Sequence, residues 1–367
     1  MNTAPAPLEL EFAVPELSYT RTVDRTLVHR DALGEVFLTD LQPLDETSYA
    51  AAAQLPRSHA YYGDHLLGPD VYDPVLLLEA CRQAALAGAH AYFGVPRQDK
   101  FILTHLRVRL THPDRVTVGT APCQLTLHVT TSNHYVREGR TNGLDYEVDL
   151  RVGEVSIGRA GIGLRFKSPD SYLQLRLRNR DQRPLPSSAD RPRPGGVHGA
   201  PAQPYRVGRV NADNVVLSGI EADGSTLTAQ IRTPSTHPSM FDHPQDHLPG
   251  MVIAEAARQL ALYGALEVRG MSPSRVYPTE LTVTFTRFGE LDSPAVLTAV
   301  VGDRREDGPD RDSYYTAGGL VDFGDLGESG GAAGPDADLV PVRVEATQDG
   351  ESLCVLSLSL TRVRAAR

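Results

Sequence analysis

The sequence predicts an α+β chain built from two copies of one unit. In each copy a long central helix is wrapped by an antiparallel sheet, and the two copies pair as a pseudo-dimer. Three observations carry this reading: an internal duplication, a helix in each copy that is apolar on almost every side, and period-two alternation behind each helix.

The duplication comes first, because a missed repeat misassigns the whole fold. The segment from Val75 reads VLLLEACRQAALAGA and the segment from Met251 reads MVIAEAARQLALYGA. Glu79, Ala80, Arg82, Gln83 and Gly88 match Glu255, Ala256, Arg258, Gln259 and Gly264. Upstream, His59 with Asp64-His65 matches His237 with Asp242-His243; downstream, THLRVRL from Thr104 mirrors TELTVTF from Thr279. The period is too long for a solenoid, so each copy is expected to be a domain. A chain of 367 residues has room for two. The boundary shows in composition: residues 176–204 are rich in Arg, Pro, Ser and Gly, with RPLPSSADRPRPGG at their centre, which reads as a linker. The expected domains are therefore 1–175 and 205–367 around a 176–204 linker. Inside the second copy, about 303–338 is Gly- and Asp-rich and reads as a long mobile acidic loop.

Each helix is followed by strands. From Met251 to Ala265 only Glu255, Arg258 and Gln259 interrupt the apolar residues, and a helix apolar all round must be buried all round. Leu106, Val108 and Leu110 alternate with polar residues, as do Leu281, Val283 and Phe285, which predicts half-buried strands. Leu125–Val129, Tyr146–Val152 and Glu154–Phe166 continue the series in the first copy; Val296–Val301, Val342–Ala346 and Leu353–Val363 do so in the second, with Asp349-Gly350 as a tight turn. One long helix wrapped by a curled antiparallel sheet is the hot-dog arrangement, so the expected fold is a tandem double hot-dog.

Composition excludes several classes. Hydrophobic residues make up 41% and charged residues 22%, which rules out a wholly disordered chain. The net charge of -10 gives no global basic field for nucleic acid. Cys81, Cys123 and Cys354 are too sparse for a disulfide framework, and a reducing compartment is expected. The opening MNTAPAPLELEF lacks the pattern of a signal peptide, and no apolar run approaches the roughly 20 residues a membrane span needs. The expectation is a soluble cytoplasmic protein without a membrane partner.

The chemistry concentrates on the helices and the loop before the second one. Glu and Arg three apart, and Glu and Gln four apart, share one helix face. A charge in such greasy surroundings is costly unless paired. A structural ion pair is the bland reading; recurrence of the same trio in both copies, which pairing brings together, favours a functional one. In the loop, Asp242, His243, Asp246 and His247 precede Pro249-Gly250, where the chain breaks into the helix. A helix N-terminus offers free N–H groups and partial positive charge, suited to an oxyanion or phosphate. His243 and His247 are four apart, as metal ligands can be, but Pro244 and Pro249 argue against a helical ligand face and no metal is expected. The two histidines serve equally well as loop-ordering hydrogen bonders.

Asp242-His243-Pro244-x-Asp246-His247-x-Pro249-Gly250-Met251, followed by Glu255-Ala-Ala-Arg258-Gln259, resembles the signature of the A-factor biosynthesis family, and Glu79-Ala-Cys-Arg82-Gln83 is similar to that family's companion motif. The resemblance covers both copies, roughly Leu17 to Arg364. It implies transfer of a β-ketoacyl group from acyl carrier protein to the hydroxyl of dihydroxyacetone phosphate, on the way to γ-butyrolactone, butenolide or furan signals. It places the family's essential residues on Glu79, Glu255 and Arg258. In that scheme Glu255 is the general base. Arg258 steadies it or holds the substrate phosphate. The N–H groups at Gly250, with Gln259, bind the thioester oxyanion. Glu79, Arg82 and Gln83 do the matching job or form the symmetric wall, and His65, His243 and His247 are candidate substrate contacts. Burial is expected to poise the base near neutrality. No cofactor is implied. The chain departs from the family pattern in its acidic loop and its Pro/Arg linker.

A wider similarity, to hot-dog dehydratases, pairs a loop His with a helix Glu. In the second copy that His position falls on Phe241; only His65 keeps the spacing, to Glu79, so at most one such pair exists, between His65 and a Glu across the pseudo-dimer. A dehydratase or thioesterase is therefore the rival enzyme, and a ligand-binding regulator with a double hot-dog pocket the rival non-enzyme. The arginines from Arg176 to Arg193 read as a solvated linker, or else as a surface for an acidic carrier protein. The pseudo-dimer is internal, and a homodimer of whole chains is compatible with it.

Overall fold

The computed structural model describes residues 16–67, 71–190, 200–302 and 339–363. The acidic loop expected at about 303–338 lies outside the described residues.

Two strands, β1 (Leu38–Pro43) and β2 (Ser48–Leu55), precede the first central helix, α1 (Pro74–Tyr92). Four more follow: β3 (Lys100–Leu110), β4 (Cys123–Arg137), β5 (Arg140–Val152) and β6 (Val155–Lys167). A short helix, α2 (Pro169–Asn179), leads into the second copy. That copy repeats the pattern with β7 (Leu217–Asp223), β8 (Thr226–Ile231), α3 (Gly250–Arg269), β9 (Val276–Phe285), β10 (Ala295–Val301), β11 (Leu339–Gln348) and β12 (Glu351–Arg362). The strand pair before each helix is a correction to the sequence reading, which placed strands only behind the helices. The run Ala50 to Ala53 in β2 carries no period-two signal; it is a strand because all four alanines are sealed against the interior.

The strands form one antiparallel sheet in the order β1-β2-β4-β5-β6-β3-β9-β12-β11-β10-β8-β7. The order is palindromic: each strand of the first copy sits where its counterpart sits in the second, counted from the β3–β9 junction. There Arg107 pairs with Thr282, flanked by Leu106 with Val283 and Val108 with Leu281. This is the double hot-dog arrangement, and the apolar cores of the two copies run together across the junction.

Both central helices are buried as predicted. Every residue of α1 from Pro74 to Ala89 is buried except Arg82, and α3 is buried from Val252 to Ala265. Their starts differ. Asp73 caps α1 by accepting from the Val75 N–H at 2.8 Å, with Pro74 at the first helical position. Pro249 precedes α3 and supplies no side-chain cap. Gly88 and Gly264, matched in the repeat, let the sheet approach each helix: a Cβ would overlap the Tyr49 ring at the first and lie 2.6 Å from Val301 Cγ2 at the second. No helix among the described residues is long and apolar enough to cross a membrane.

The arginine run also departs from the sequence reading. Arg176 lies within α2 and Arg180 caps its end, and both are almost fully buried rather than solvated. Arg176 reaches Glu290 at 2.6 and 2.9 Å, and Arg180 reaches Asp292 at 2.6 Å. Arg, Pro and Ser residues read as solvated when alone; here acidic residues just before β10 pair with them. Residues 191–199 of the expected linker lie outside the described residues.

Candidate active site

Each central helix carries one polar cluster in otherwise apolar surroundings. On α3, Glu255 is fully buried. Its Oε1 accepts from Arg209 Nε at 3.0 Å, Arg209 Nη2 at 2.7 Å and Gln259 Nε2 at 2.5 Å; its Oε2 accepts from Arg258 Nη2 at 2.5 Å. Gln259 ties the cluster to the chain entering β7, accepting from Val216 N at 3.0 Å and donating to Asn214 O at 2.8 Å. Arg258 Nη1 donates to both carboxylate oxygens of Asp73 at 2.5 Å. Arg209 Nη1 is taken by the carbonyls of Tyr61 and Asp64 at 2.8 and 2.7 Å. Two carboxylates thus meet two guanidinium groups, and the cluster is neutral. Beside it, a cavity of about 20 Å³ is lined by His65, Asp73, Gly208, Arg258 and Tyr277 among others, room for roughly one water.

On α1, Glu79 is equally buried. It accepts from Arg30 Nη2 at 2.6 Å, Arg82 Nε at 2.8 Å, Arg82 Nη2 at 2.9 Å and Gln83 Nε2 at 3.0 Å. Gln83 accepts from Phe37 N at 2.9 Å and donates to Glu35 O at 2.7 Å. Arg30 is the counterpart of Arg209, for VHRDALGEVFL from Val28 repeats as VGRVNADNVVL from Val207. The symmetry then fails in part. The position matching Asp73 is Pro249, which has no carboxylate, so Arg82 lacks the aspartate partner that Arg258 has, while Arg30 also feels the buried carboxylate of Glu35, which stands where the second copy has Asn214. Arg82 Nη1 has no partner among the described residues. The Arg82 side chain is 17% exposed against 7% for Arg258, and Arg30 9% against 1% for Arg209. The positive fields of Arg82, His243 and Lys100 converge on His29, and Arg30 acts on His243.

At Glu79 the neighbouring charges outweigh the burial. Burial pushes the Glu79 carboxyl up, but the guanidinium groups of Arg30 and Arg82 hold it down at about 2. Burial likewise pushes the Asp73 carboxyl up, and Arg258 with Arg209 brings it below the usual carboxylate range.

The remaining candidates are placed as follows. His65 Nε2 bonds the Val71 carbonyl at 2.9 Å, so it is engaged with backbone while the oxygens of Glu255 are filled by other donors. His243 lies 3.3 Å from Asp242 and 2.6 Å from Gln245 Nε2. His247 pairs with Asp246 at 2.5 Å, and Asp246 also receives Tyr172 of α2. Gly250 is pressed so close to β9 that a Cβ would stand 2.8 Å from Phe285 Cζ. The repeated Asp-His pairs have a crosswise role. Asp64 accepts from Val210 N and Asn211 N of the second copy, and Asp242 from Asp31 N and Ala32 N of the first. Each aspartate thereby fixes the loop that carries the other copy's buried arginine. Arg30, Arg209, Asp73 and His29 were not singled out from sequence. The signal for the first two was present as the V-x-R repeat, while Asp73 becomes visible only against Pro249.

A palindromic twelve-stranded sheet with two buried helices, each bearing a Glu–Arg–Gln cluster, defines a double hot-dog protein. The family model AfsA, the A-factor biosynthesis hotdog domain, matches residues 13–167 and 197–317, and the chain belongs to this family. A 2-oxo-3-(phosphooxy)propyl 3-oxoalkanoate synthase of Streptomyces virginiae is 38% identical over 76% of this chain and 87% of its own length. Its namesake from Streptomyces griseus is 29% identical over 94% of this chain and 97% of its own. Among solved structures, the pyran synthase domain from module nine of the sorangicin pathway covers 90% of this chain and 98% of its own at 14% identity, with a TM-score of 0.49.

Proposed function

We propose that this chain transfers a β-ketoacyl group from an acyl carrier protein thioester to the hydroxyl of dihydroxyacetone phosphate, and that the transfer takes place at the α1 cluster. The observation that carries the placement is the broken symmetry. At Arg258 the Asp73 carboxylate sits at once on a guanidinium group and on the N-terminus of α1. At Arg82 the matching place has no carboxylate among the described residues, and the N-terminus of α3 has no side-chain cap. A substrate phosphate fits that vacated carboxylate position, held by Arg82 and Arg30 and by the N–H groups that open α3 at Gly250.

Glu79, ionised and saturated by donors, is a poor proton acceptor; its work is to hold the two guanidinium groups rigid. The α3 cluster, neutral and closed, is the structural counterpart that fixes α3 against α1 through Arg258 and Asp73. An open groove of about 700 Å³ supports a carrier-protein partner. It is lined by Ile102, Tyr135, Arg137, Arg165 and Lys167, a basic lining suited to an acidic protein and its phosphopantetheine. Phe101 joins groove to cluster, its ring 4.5 Å from Phe166 and 4.7 Å from His29.

The test is incubation of the protein with a β-ketoacyl carrier protein and dihydroxyacetone phosphate, read by mass spectrometry. A phosphorylated ester and free carrier thiol are expected. Free β-keto acid alone identifies a thioesterase and refutes the proposal.

A further inference from the structure

Nothing in the acyl-transfer reading so far accepts the proton of the attacking hydroxyl. We infer that His29 does. The inference rests on that reading and adds to it the acid–base residue.

The argument begins with the backbone. His29 ends a short 3-10 turn, Arg25–Val28, in the left-handed conformation at φ 53° and ψ 50°. The symmetric turn, Pro204–Val207, ends at Gly208 with φ 76°. Glycine is the ordinary solution at such a position, and a side chain held there instead is strained. The copy whose helix arginine is closed by Asp73 keeps glycine; the copy whose helix arginine lacks that partner carries an imidazole. By the same symmetry, Gly208 lines the small cavity beside Arg258, so His29 stands in the matching place beside Arg82.

The hydrogen bonds fix its tautomer. His90 on α1 has Nδ1 2.8 Å from the Val95 carbonyl, which can only accept, so His90 donates from Nδ1. Burial lowers the proton affinity of His90, so the ring is neutral and its Nε2 holds a lone pair. His29 Nε2 lies 2.9 Å from His90 Nε2 and is therefore the donor of that pair. The Nδ1 of His29 is left as a lone pair, with no partner among the described residues, on a half-buried ring. A base oriented by a second group, which is oriented in turn by a third, is the arrangement that activates a hydroxyl nucleophile.

The groups facing His29 are His90 and Arg82 from α1, Lys100 from β3 and His243 from the loop before α3. Burial first, and then the charged Arg82 and Lys100 among these groups, keep the ring unprotonated, with its pKa lowered to about 3. A dianionic phosphate bound beside Arg82 offsets the positive part of that field and raises the ring's affinity for a proton when the substrate is present. In the step, Nδ1 takes the hydroxyl proton as the alcohol oxygen bonds to the thioester carbon. The C–S bond breaks, and the proton passes from Nδ1 to the departing thiolate, leaving ester and free thiol.

The experiment compares wild type, His29→Gly and His29→Asn by melting temperature and by transfer rate at saturating dihydroxyacetone phosphate, with and without added imidazole. His29→Gly takes the symmetric copy's residue and should melt at or above the wild-type temperature. Its rate should fall about 10²–10⁴-fold, and imidazole should restore part of it. Asparagine tolerates the left-handed backbone but accepts no proton, so His29→Asn should be equally slow. Either variant transferring within roughly threefold of wild type, or a folded His29→Gly protein whose lost rate imidazole leaves unchanged, overturns the inference while wild-type transfer upholds the function. A wild type that makes no phosphorylated ester refutes the function, and this inference with it.

Discussion

Arg82 and Arg258 occupy symmetric positions on the two central helices, and the same substitution should do opposite things at them. Arg258→Met removes a guanidinium group that three carboxylate oxygens share, two from Asp73 and one from Glu255. Glu255 keeps Arg209 and Gln259, but Asp73 keeps only the Val75 N–H. Breaking one side of a buried pair costs about 3–5 kcal/mol. At about 2.1 cal/mol/K of unfolding entropy per residue, a chain of 367 residues has about 0.8 kcal/mol/K. The melting temperature should then drop by about 4–6 °C. Arg82→Met leaves Glu79 with Arg30 and Gln83, and Arg82 is partly exposed, so a loss of about 1–2 kcal/mol, or about 1–3 °C, is expected. Activity should rank the other way. Losing a charged anion-binding donor costs about 10²–10³-fold in rate, so Arg82→Met should fail in transfer while well folded, and Arg258→Met should lose activity only with its folded fraction. A pH series adds a sign. In wild type the lowered Asp73 carboxyl stabilises the fold above its ordinary value of 3.8, and that stability is lost as the pH falls through the folded value. Without Arg258, burial is opposed by the more distant charge of Arg209 and the Val75 N–H alone, so the carboxyl should rise and the variant should lose less stability than wild type as the pH falls. Differential scanning fluorimetry beside mass-spectrometric transfer rates reads all of this. An Arg258→Met protein that melts with wild type, or an Arg82→Met protein with wild-type rate and KM, refutes the reasoning.

Glu79, held at about 2 against an ordinary 4.5, contributes stability that is present above 4.5 and lost between 4.5 and 2; acid unfolding of Glu79→Gln should lack that component. Glu255→Gln removes the charge that faces Arg209 and Arg258, so calorimetry should show a lower melting temperature with transfer falling in proportion; a well-folded Glu255→Gln enzyme with transfer reduced about 10²–10⁴-fold would move the chemistry to α3. Reversing the groove with Arg137→Glu and Lys167→Glu should raise KM for the carrier-protein thioester, and flatten its salt dependence, while a small pantetheine thioester is used as before. Gly88→Ala forces a Cβ into the Tyr49 ring, and Gly264→Ala forces one against Val301 and Leu227; each should cost about 1–3 kcal/mol, measured by urea unfolding.

The duplication, the two all-round apolar helices and the Glu–Arg–Gln trio on each were legible in the sequence, because burial of a whole helix and recurrence at a fixed spacing need no knowledge of the partner surface. Helical spacing likewise joined Glu255 to Arg258 and Gln259, and Glu79 to Arg82 and Gln83. The strands before each helix were not legible: the alanines of β2 are strand only because the sheet closes over α1. Arg176 and Arg180 look solvated in sequence and are buried because Glu290 and Asp292 come to meet them from more than a hundred residues away. The difference between the two clusters belongs wholly to the tertiary structure. One half's Asp73 reaches the other half's Arg258, Pro249 offers Arg82 nothing, and His29 takes the place of Gly208. Each of these is a contact across the pseudo-two-fold axis or a comparison of positions that it relates. A local pattern can declare two motifs alike; only the fold, by facing each motif with residues of the other copy, closes one arginine with an aspartate and leaves the other without one.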